Sequence, residues 1–523
     1  MVTSSRVLFF ALLFLTACRL ALSGLLEATP EECALWEWSR RWSIVGYDGG
    51  GLVPLLMKVG GLFGSAPLAL RWFAPLCAGA TSWVVFRLVR SFSTEKAAAW
   101  SVVLLNLLPA FNQCAVLASP EGPAMTFTSL GIFLFWKGLH RAKTWDWHWP
   151  TTGGVWALAL WASWSAVWLP GCAVFLCAAS RRWRGRLFHP GLWLLVFVWA
   201  LLGFGPFVWW NATHAGAGWA HLAEFSGADH IGLRFAEPLR MLAAAAAGFS
   251  PLLLVGVVVA SGLAARIRPW KDGVVLLLSF VLPPFAVCLT GSLMSLFRAS
   301  LLLPLLPAAA ALYGTVWFGN GDVTLARFPK RWGRFIPSFH WHALALGGIM
   351  SLAALNTDLL RRAGLLHSYQ WDVTRDGRGW KETAAEAVAI IREASRSSPE
   401  RIFLIAADDR LASALDYHLP PELPIFQPDA SWPRLQVVES PVPTSQYAFW
   451  PRYDAESPGT PSVMAGKTAL YFTDHAGSPH PPAAISRAFA KVVPAMVFDV
   501  VRDGAALRRI RVFACYGYSG LPF

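Results

Sequence analysis

The sequence predicts a polytopic α-helical membrane protein with a small C-terminal α/β domain. Of its 523 residues, 55% are hydrophobic and 14% are charged, whereas an ordinary soluble domain carries about 25% charged residues. The mean hydropathy is +0.46. Apolar stretches of about 20 residues, the length that crosses a bilayer, recur as far as residue 357. Together these features exclude a disordered chain, a coiled coil and a typical soluble enzyme.

The apolar stretches define a transmembrane domain over residues 1–357, in which the long outer loop 27–66 is expected to contribute to the functional site. One stretch, 153–179, carries Ser163, Ser165 and a Pro170-Gly171 break, so it is either one long span or two short ones that form a hairpin. The first stretch, residues 7–26, lacks a small-residue cleavage site. We therefore interpret it as a span and not as a signal peptide. The other single spans are expected near residues 67–88, 97–115, 122–139, 191–210, 239–263, 272–291, 300–319 and 339–357.

Basic residues set the predicted orientation. With the N-terminus in the cytoplasm, the inner loops carry 17 Lys and Arg residues, whereas the outer loops 112–121, 211–238 and 292–299 carry only Arg234 and Arg298. This asymmetry follows the positive-inside rule only if 153–179 leaves and re-enters the same side. The sequence therefore predicts about eleven spans in the inner membrane. The net charge of +13 is explained by topology, and no nucleic-acid partner is expected.

After residue 357 the hydropathy pattern changes to that of an α/β domain, residues 358–523. An odd number of spans places this domain outside the cytoplasm. Helices are predicted over 381–396, 410–419 and 482–492, and strands over 401–407 and 468–474. A final hairpin is predicted to turn at Asp503-Gly504. The Pro- and Ser-rich segment 420–465 is predicted to be irregular.

Acidic residues mark three points on the predicted outer face. Glu31 and Glu32 follow the first span, Asp48 lies in a glycine-rich turn after Tyr47, and Glu121 lies between two prolines where a span begins. On a helix, Glu31 and Glu32 would point about 100° apart, so only one can face a cleft. Each acid can be explained as a helix-start carboxylate. Together they can instead activate a hydroxyl or amine acceptor by taking its proton.

Other polar residues lie near this face. Asn211 and His214 begin an outer loop, and a lone histidine there is more often a capping residue than a catalytic one. Arg71 lies within an apolar span, where charges are costly and often functional. The Arg71 side chain either pairs with one of the glutamates after the first span, or extends to the membrane surface, or takes part in the function of the protein. Arg298 is a cation that could hold a phosphate.

The order of these motifs resembles a known family. A loop that opens with a proline and two acids, a Tyr-Asp turn, a proline-flanked acid and a Trp-Asn-x-x-His loop are similar to bacterial relatives of dolichyl-phosphate-mannose protein mannosyltransferases (glycosyltransferase family 39, GT-C superfamily). These relatives include the 4-amino-4-deoxy-L-arabinose lipid A transferases. The strings GRGWKE, LASALDYHLP, SQYAFWP and CYGYSGLP look like one bacterial branch of the family.

The resemblance implies an inverting transfer of a sugar from a polyprenyl-phosphate donor to an extracytoplasmic lipid, glycan or protein. Glu31, Glu32 and Glu121 take the positions of the family's catalytic acids, and Glu31 that of its base. Residues implied in substrate binding are Tyr47, Asp48, Arg71, Asn211, His214 and Arg298. Carboxylates beside a phosphate could bind Mg²⁺ or Mn²⁺, but the family does not uniformly need a metal, so no cofactor is predicted.

The chain also departs from the family pattern. Gly49, Gly50 and Gly51 replace a basic residue and two prolines, and Ser163-Trp164-Ser165 replaces Ser-Lys-Tyr. A late Lys-x-x-Asn-Trp motif has no clear match. The main hypothesis is therefore a divergent membrane glycosyltransferase. The alternatives are an inactive paralogue that acts as a binding or scaffold protein, and a transporter of lipid-linked substrates.

Overall fold

The computed structural model separates the chain into two compact units. The transmembrane unit contains Met1–Leu25, Ile44–Leu56 and Phe63–Asn356, and the α/β unit contains Leu26–Ser43, Met57–Leu62 and Thr357–Phe523. The structure describes residues 5–64, 66–141, 146–226, 232, 234–266, 272–294, 296, 299–319, 335–355, 375–397, 401–438, 442–453, 462–474, 480–502 and 505–520.

Helices build the transmembrane unit. They are α1 (Ser5–Leu25), α3 (Leu52–Gly61, shared between the units), α4 (Pro67–Arg71), α5 (Phe73–Arg90), α6 (Glu95–Leu105), α7 (Pro109–Cys114), α8 (Glu121–Leu139), α9 (His148–Ala162), α10 (Leu169–Ala179), α11 (Pro190–Trp199), α12 (Gly205–Thr213), α13 (Ala217–Ser226), α14 (Glu237–Phe249), α15 (Pro251–Arg266), α16 (Asp272–Ser292), α17 (Leu306–Gly319) and α18 (Phe335–Leu355). Two short strands, β1 (Val45–Gly46) and β2 (Gly49–Gly50), pair antiparallel.

Six helical segments of the described chain are long and apolar enough to cross a membrane. They are Ser5–Leu25, Pro67–Arg90, Pro190–Thr213, Asp272–Ser292, Ser300–Gly319 and Phe335–Leu355. A bent helix pair, Glu237–Phe249 with Pro251–Ala264, makes a seventh if it is one span. The chain is thus a multi-pass membrane protein, and the full count of eleven spans stays a prediction.

Breaks interrupt several of the predicted spans. The stretch 153–179 consists of two helices, α9 and α10, separated by a short 3₁₀ turn over Trp164–Ala166. The predicted span 97–115 is likewise divided into α6 and α7, because Pro109 starts a new helix. Helices α14 and α15 meet at 104°, where Ser250 has a φ of 72° and Pro251 follows.

The core of the transmembrane unit depends on close helix approaches. A Cβ on Gly131 of α8 would lie 2.0 Å from the indole nitrogen of Trp156 on α9. Trp156 is completely buried and its ring lies 5.8 Å from that of Phe280 on α16. Only glycine at position 131 lets α8 and α9 approach this closely, since any side chain there would occupy the place of the indole.

The α/β unit is built on a five-stranded sheet in the order β4-β3-β5-β7-β6. Strands β3, β4 and β5 are parallel, whereas β7 is antiparallel to both β5 and β6. The elements are α2 (Pro30–Arg40), α19 (Trp380–Ser397), β3 (Phe403–Ala406), α20 (Asp409–His418), β4 (Leu435–Val437), β5 (Ala469–Thr473), α21 (Ala483–Ala488), β6 (Phe489–Arg502) and β7 (Ala505–Tyr518). The core is formed by the apolar faces of α19 and α20 against the sheet.

Helix α2, which follows the first span, belongs to the α/β unit. It packs on α20, where the rings of Trp36 and Tyr417 meet edge to face at 5.2 Å. Arg41 of the same segment donates to the backbone carbonyl of Ser431 at 2.6 Å and lies over the ring of Trp450. The predicted outer loop 27–66 is therefore not one segment, because its first part is a component of the C-terminal fold.

The α/β elements predicted from sequence agree with the structure in most places. Helices over 381–396 and 410–419 and the two strands are present within two residues of their predicted ends. The predicted helix 482–492 is wrong in its second half, because β6 begins at Phe489 and pairs with β7. The segment 420–465 is mostly irregular but contains β4, a short strand that completes the parallel edge.

Candidate functional site

Glu31 and Glu32 have different environments at the start of α2. Thr29 caps the helix: its hydroxyl accepts from the Glu32 backbone N–H at 3.3 Å, and the Glu32 carboxylate accepts from the Thr29 N–H at 2.9 Å. This reciprocal arrangement is a capping box and explains why Glu32 is buried. Glu31 lies one residue earlier, and its side chain is 62% exposed. Glu32 thus has a structural role, and Glu31 is the acid available for chemistry.

Arg410 holds the Glu31 carboxylate. Its Nη2 lies 2.5 Å from Glu31 Oε1 and 3.6 Å from Asp376 Oδ2. Arg410 is the second residue of α20, so the helix that packs on α2 also supplies the cation. Charge-assisted hydrogen bonds of this kind fix the orientation of a carboxylate.

A buried ionic network lies further along the same helix pair. The Glu37 and Asp416 side chains are essentially inaccessible to solvent, and Arg40 Nη1 lies 3.3 Å from one and 3.2 Å from the other. Arg41 Nη1 lies 2.5 Å from Glu37 Oε1, and Arg434 Nη1 lies 3.1 Å from Asp416 Oδ1. Burial and the charge of Glu37 raise the pKa of Asp416 despite these cations. This network joins α2 to α20 and is structural.

Asp48 lies on the turn between β1 and β2 in the transmembrane unit. Its Oδ1 is 3.8 Å from Nε2 of His221 on α13, and the rings of Tyr47 and His221 lie 4.2 Å apart. Asp48 is exposed, whereas Tyr47 is buried. His221 was missed by the sequence reasoning. It lies in the same outer loop as His214, but nothing in the sequence indicates that it meets the Tyr-Asp turn.

The glycines after Asp48 are explained by the break between α9 and α10. A Cβ on Gly50 would lie 2.3 Å from the carbonyl oxygen of Trp161, and one on Gly49 would lie 3.0 Å from the indole nitrogen of Trp164. Gly49 also has a φ of 133°, which side-chain-bearing residues avoid. The two departures from the family pattern are thus in contact, since the glycine turn leaves the space that the tryptophans use.

Asn211 has a structural position at the end of α12. Its amide nitrogen donates to the Phe207 carbonyl at 2.9 Å, and its amide oxygen accepts from the Trp219 N–H at 2.8 Å. It is buried and holds the turn between α12 and α13. His214 stacks on Trp210 with the ring centroids 4.2 Å apart and the planes at 9°. These contacts position α13, which carries His221.

The remaining predicted residues occupy separate places. Glu121 is the first residue of α8, where the helix dipole favours a negative charge. Arg71 is completely buried and its Nη1 donates to the Ser23 carbonyl at 2.8 Å. Arg298 lies outside the described residues. Glu121 and Asp48 belong to the transmembrane unit, whereas Glu31 and Glu32 belong to the α/β unit.

An apolar cavity of about 340 Å³ lies among the helices of the transmembrane unit. Its walls come from α14, α15, α16 and the segment that leads into α17, and they include Phe249, Val258, Phe285 and Leu302. Ser261 is the one hydroxyl among the described lining residues. Such a cavity offers no hydrogen-bonding specificity and suits a hydrocarbon chain.

Among the described residues, no group of three or more His, Cys, Asp or Glu side chains is arranged to hold a metal ion.

Comparisons with known proteins agree with the sequence resemblance. Residues 53–210 match the family model for dolichyl-phosphate-mannose-protein mannosyltransferase. The chain is similar over its full length to ArnT from Cupriavidus metallidurans bound to undecaprenyl phosphate, with 16% identity, 100% of both chains covered and a TM-score of 0.62. For the apo state of that protein the values are 17%, 97% of both chains and 0.57. No curated protein sequence matches the chain significantly.

A weaker likeness is found to the archaeal oligosaccharyltransferase AglB from Archaeoglobus fulgidus, in complex with an inhibitory peptide and a dolichol-phosphate. It has 11% identity, covers 80% of this chain and 65% of that chain, and has a TM-score of 0.45. The family match within the transmembrane unit and the fold shared with ArnT confirm the resemblance seen in the sequence. The protein is a GT-C-fold membrane protein similar to glycosyltransferase family 39.

Proposed function

We propose that this protein is an inverting glycosyltransferase that moves a sugar from a polyprenyl-phosphate donor to an extracytoplasmic lipid, glycan or protein. It acts in the inner membrane, with its N-terminus in the cytoplasm and its α/β unit outside. The single observation that carries this proposal is the division of roles between Glu31 and Glu32. One acid closes the helix cap, and the other is exposed and held by Arg410.

Glu31 is the proposed general base. Its carboxylate takes the proton of the acceptor hydroxyl or amine as the acceptor atom bonds to the anomeric carbon. The bond from that carbon to the phosphate oxygen breaks on the opposite face, and its electron pair stays with the polyprenyl phosphate. One displacement from the opposite face inverts the anomeric configuration. Glu121 is the second proposed catalytic acid.

The apolar cavity of the transmembrane unit is the proposed site for the start of the polyprenyl chain. Its walls are almost entirely hydrocarbon, and each CH₂ group that enters it gains about 0.8 kcal/mol by leaving water. Tyr47, Asp48 and Arg298 are the residues proposed to bind the donor headgroup. The contact between Asp48 and His221 adds His221 to this set.

The experiment that tests the proposal compares two conservative variants of adjacent residues. Glu31→Gln removes the base, whereas Glu32→Gln keeps a side chain that can complete the same capping box. Purified variants are assayed for sugar transfer, and envelope lipids and glycans of the producing strains are compared with those of a strain without the gene by mass spectrometry. Glu31→Gln should lose transfer at wild-type expression, and Glu32→Gln should keep it. Unchanged transfer in Glu31→Gln rejects Glu31 as the base.

A second candidate function is an inactive relative that binds substrate without turnover. The observation that favours it is the contact between Gly49 and Trp164, because both lie in segments that differ from the family pattern. If the protein is such an inactive relative, a strain without the gene loses binding of the substrate. Its glycans and lipids carry the same sugars as those of the wild-type strain. A transporter would instead show the lipid-linked sugar retained on the cytoplasmic face.

A further inference from the structure

The α/β unit contains a polar cavity of about 460 Å³. Asp408, two residues after β3, and Asp474, directly after β5, both line it. These strands are parallel neighbours. From β3 the chain continues through α20 to β4 on one side, whereas β5 lies on the other side. The cavity therefore lies at the carboxyl ends of the strands where the chain order diverges, which is the position where open α/β sheets bind ligands.

The charges of this cavity are balanced. Four arginines and four aspartates are among its described lining residues. A site for a phosphate needs an excess of cationic donors, and a site for a metal needs carboxylates that converge, which the described residues do not provide. Arg509 and Asp499 pair with each other, and the other arginines and aspartates are present in equal number. Such a mixture of donors and acceptors matches a ligand whose polar groups each donate and accept hydrogen bonds.

Arg508 supplies a donor atom that makes no hydrogen bond within the part of the chain that the structure describes. Its guanidinium lies 3.6 Å from the centre of the Trp380 ring, and one terminal nitrogen donates to the Arg378 carbonyl. The other, Nη1, is buried and makes no hydrogen bond within the described chain. Unsatisfied buried donors are rare in folded proteins and call for an explanation. A ligand oxygen in the cavity would satisfy this one.

Asp408 supplies an acceptor that lines the same cavity. Its Oδ1 caps α20 by accepting from the Leu411 N–H at 2.8 Å, and its second oxygen has no hydrogen-bond partner in the described residues. Arg410 follows on the same helix and also lines the cavity. Since Arg410 holds Glu31, the cavity and the proposed base share one side chain.

We propose that this cavity binds an uncharged saccharide portion of the acceptor. Each sugar hydroxyl is both donor and acceptor, so neighbouring hydroxyls can pair with an arginine on one side and an aspartate on the other. Trp380 is covered by Arg508 and is not a stacking platform, so recognition depends on hydrogen bonds. The assignment of this cavity to the acceptor rests on the proposed function. Binding of a saccharide in the cavity does not depend on the proposed function.

Saccharide binding is tested on the full-length protein in lipid nanodiscs. Saturation-transfer NMR is recorded with a panel of neutral disaccharides (maltose, cellobiose and mannobiose), with digalacturonate, and with inorganic phosphate as competitor. Wild type should bind at least one neutral disaccharide, and Arg508→Gln and Asp474→Asn should each weaken binding at least tenfold. Arg396→Gln, an exposed arginine on α19 outside the cavity, is the matched control and should bind like wild type.

The outcomes separate the two proposals. Binding of a neutral disaccharide to Glu31→Gln, together with its loss in Arg508→Gln, supports the saccharide site whether or not transfer occurs. If wild type transfers sugar while Arg508→Gln and Asp474→Asn leave the acceptor KM unchanged, the saccharide site is rejected and the glycosyltransferase proposal stands. Binding of digalacturonate alone, or displacement of neutral sugar by millimolar phosphate, identifies an anion site and also overturns the inference.

Discussion

Arg410 Nη2 lies 2.5 Å from Glu31 Oε1, although 379 residues of chain separate them. Both side chains are more than half exposed, and exposed ion pairs of this kind contribute only about 0–1 kcal/mol to stability. The pair is therefore poorly explained as a stabilising element. Its geometry is better suited to orienting the carboxylate that we propose as the base.

Replacing Arg410 should reduce activity much more than stability. In Arg410→Met we expect sugar transfer to fall roughly 10- to 100-fold, since small misplacements of a catalytic group have effects of that order. Arg410→Lys should recover part of the rate, because it keeps the charge but loses the fork-shaped contact. The measurement is the transfer rate beside thermal unfolding. A loss of rate that follows a loss of folded protein would contradict the orienting role.

The network of Glu37 and Asp416 makes a prediction about stability. Glu37→Ala removes the carboxylate partner of the mostly buried Arg41, whereas Arg40 keeps Asp416. Loss of a buried hydrogen bond to a charged group costs about 1–3 kcal/mol. We expect the α/β unit to unfold at a clearly lower denaturant concentration. Glu393→Gln, an exposed acid on α19 that pairs with Arg396, serves as the control and should change little. Equal effects of the two substitutions would argue against the network.

Asp416 makes a prediction about pH. Burial raises its pKa to about 8, so between about pH 4 and pH 8 the folded state holds a proton that the unfolded chain has released. This contribution to stability is complete below pH 4 and is lost as the pH rises to 8. In the wild type, the hydrogen-exchange rate of the α20 amides should therefore rise with pH more steeply than the intrinsic exchange rate of an unfolded chain. In Asp416→Asn, which mimics the protonated form, the excess acceleration should be much smaller.

The glycine turn can be tested by adding one methyl group. Gly50→Ala places a Cβ 2.3 Å from the Trp161 carbonyl oxygen, so the turn or the end of α9 has to move. We expect a loss of folded protein and of transfer. Gly171→Ala on α10 meets no atom within 4 Å and should be tolerated, because alanine favours a helix by about 1 kcal/mol over glycine. Detergent-solubilised yield and size-exclusion profiles measure both effects.

The apolar cavity offers a matched pair on a single helix. Val255 and Val258 are both exposed residues of α15, but only Val258 lines the cavity. Val258→Trp therefore fills the cavity, whereas Val255→Trp adds the same side chain outside it. If the cavity holds the polyprenyl chain, Val258→Trp should raise the KM for the donor roughly tenfold, and Val255→Trp should leave it near the wild-type value. Each tenfold change corresponds to about 1.4 kcal/mol of binding. Identical kinetics in the two variants would place the chain elsewhere.

Local patterns predicted local structure well in this protein. The amphipathic pattern over 381–396 predicts a helix with one buried face. The apolar run at 401–407 predicts a strand buried on both faces. Both predictions succeed because burial determines the hydrophobic pattern of the local sequence. The strand that begins at Phe489 was missed, since its pairing with β7 overrides the helical pattern of 482–492. Short parallel strands such as β4 depend on partners far away in sequence and leave almost no local signal.

The candidate site was predictable in its residue types but not in its contacts. The acids at 31, 32, 48 and 121 were found from their positions beside spans, whereas the different roles of Glu31 and Glu32 appear only with the cap at Thr29. Arg410 and His221 were missed because each meets its acid across a long stretch of chain. Pairings of this kind follow from tertiary packing, which a single sequence does not display.

Helix α2 also constrains how the protein is made. Its Arg40 leaves the ribosome 376 residues before Asp416, the acid it contacts in the folded protein. During synthesis the buried face of α2 has no partner until almost the whole chain has been translated. A premature stop anywhere before α20 would therefore leave the face of α2 that carries Trp36 and Arg40 without the helix that covers it in the folded protein.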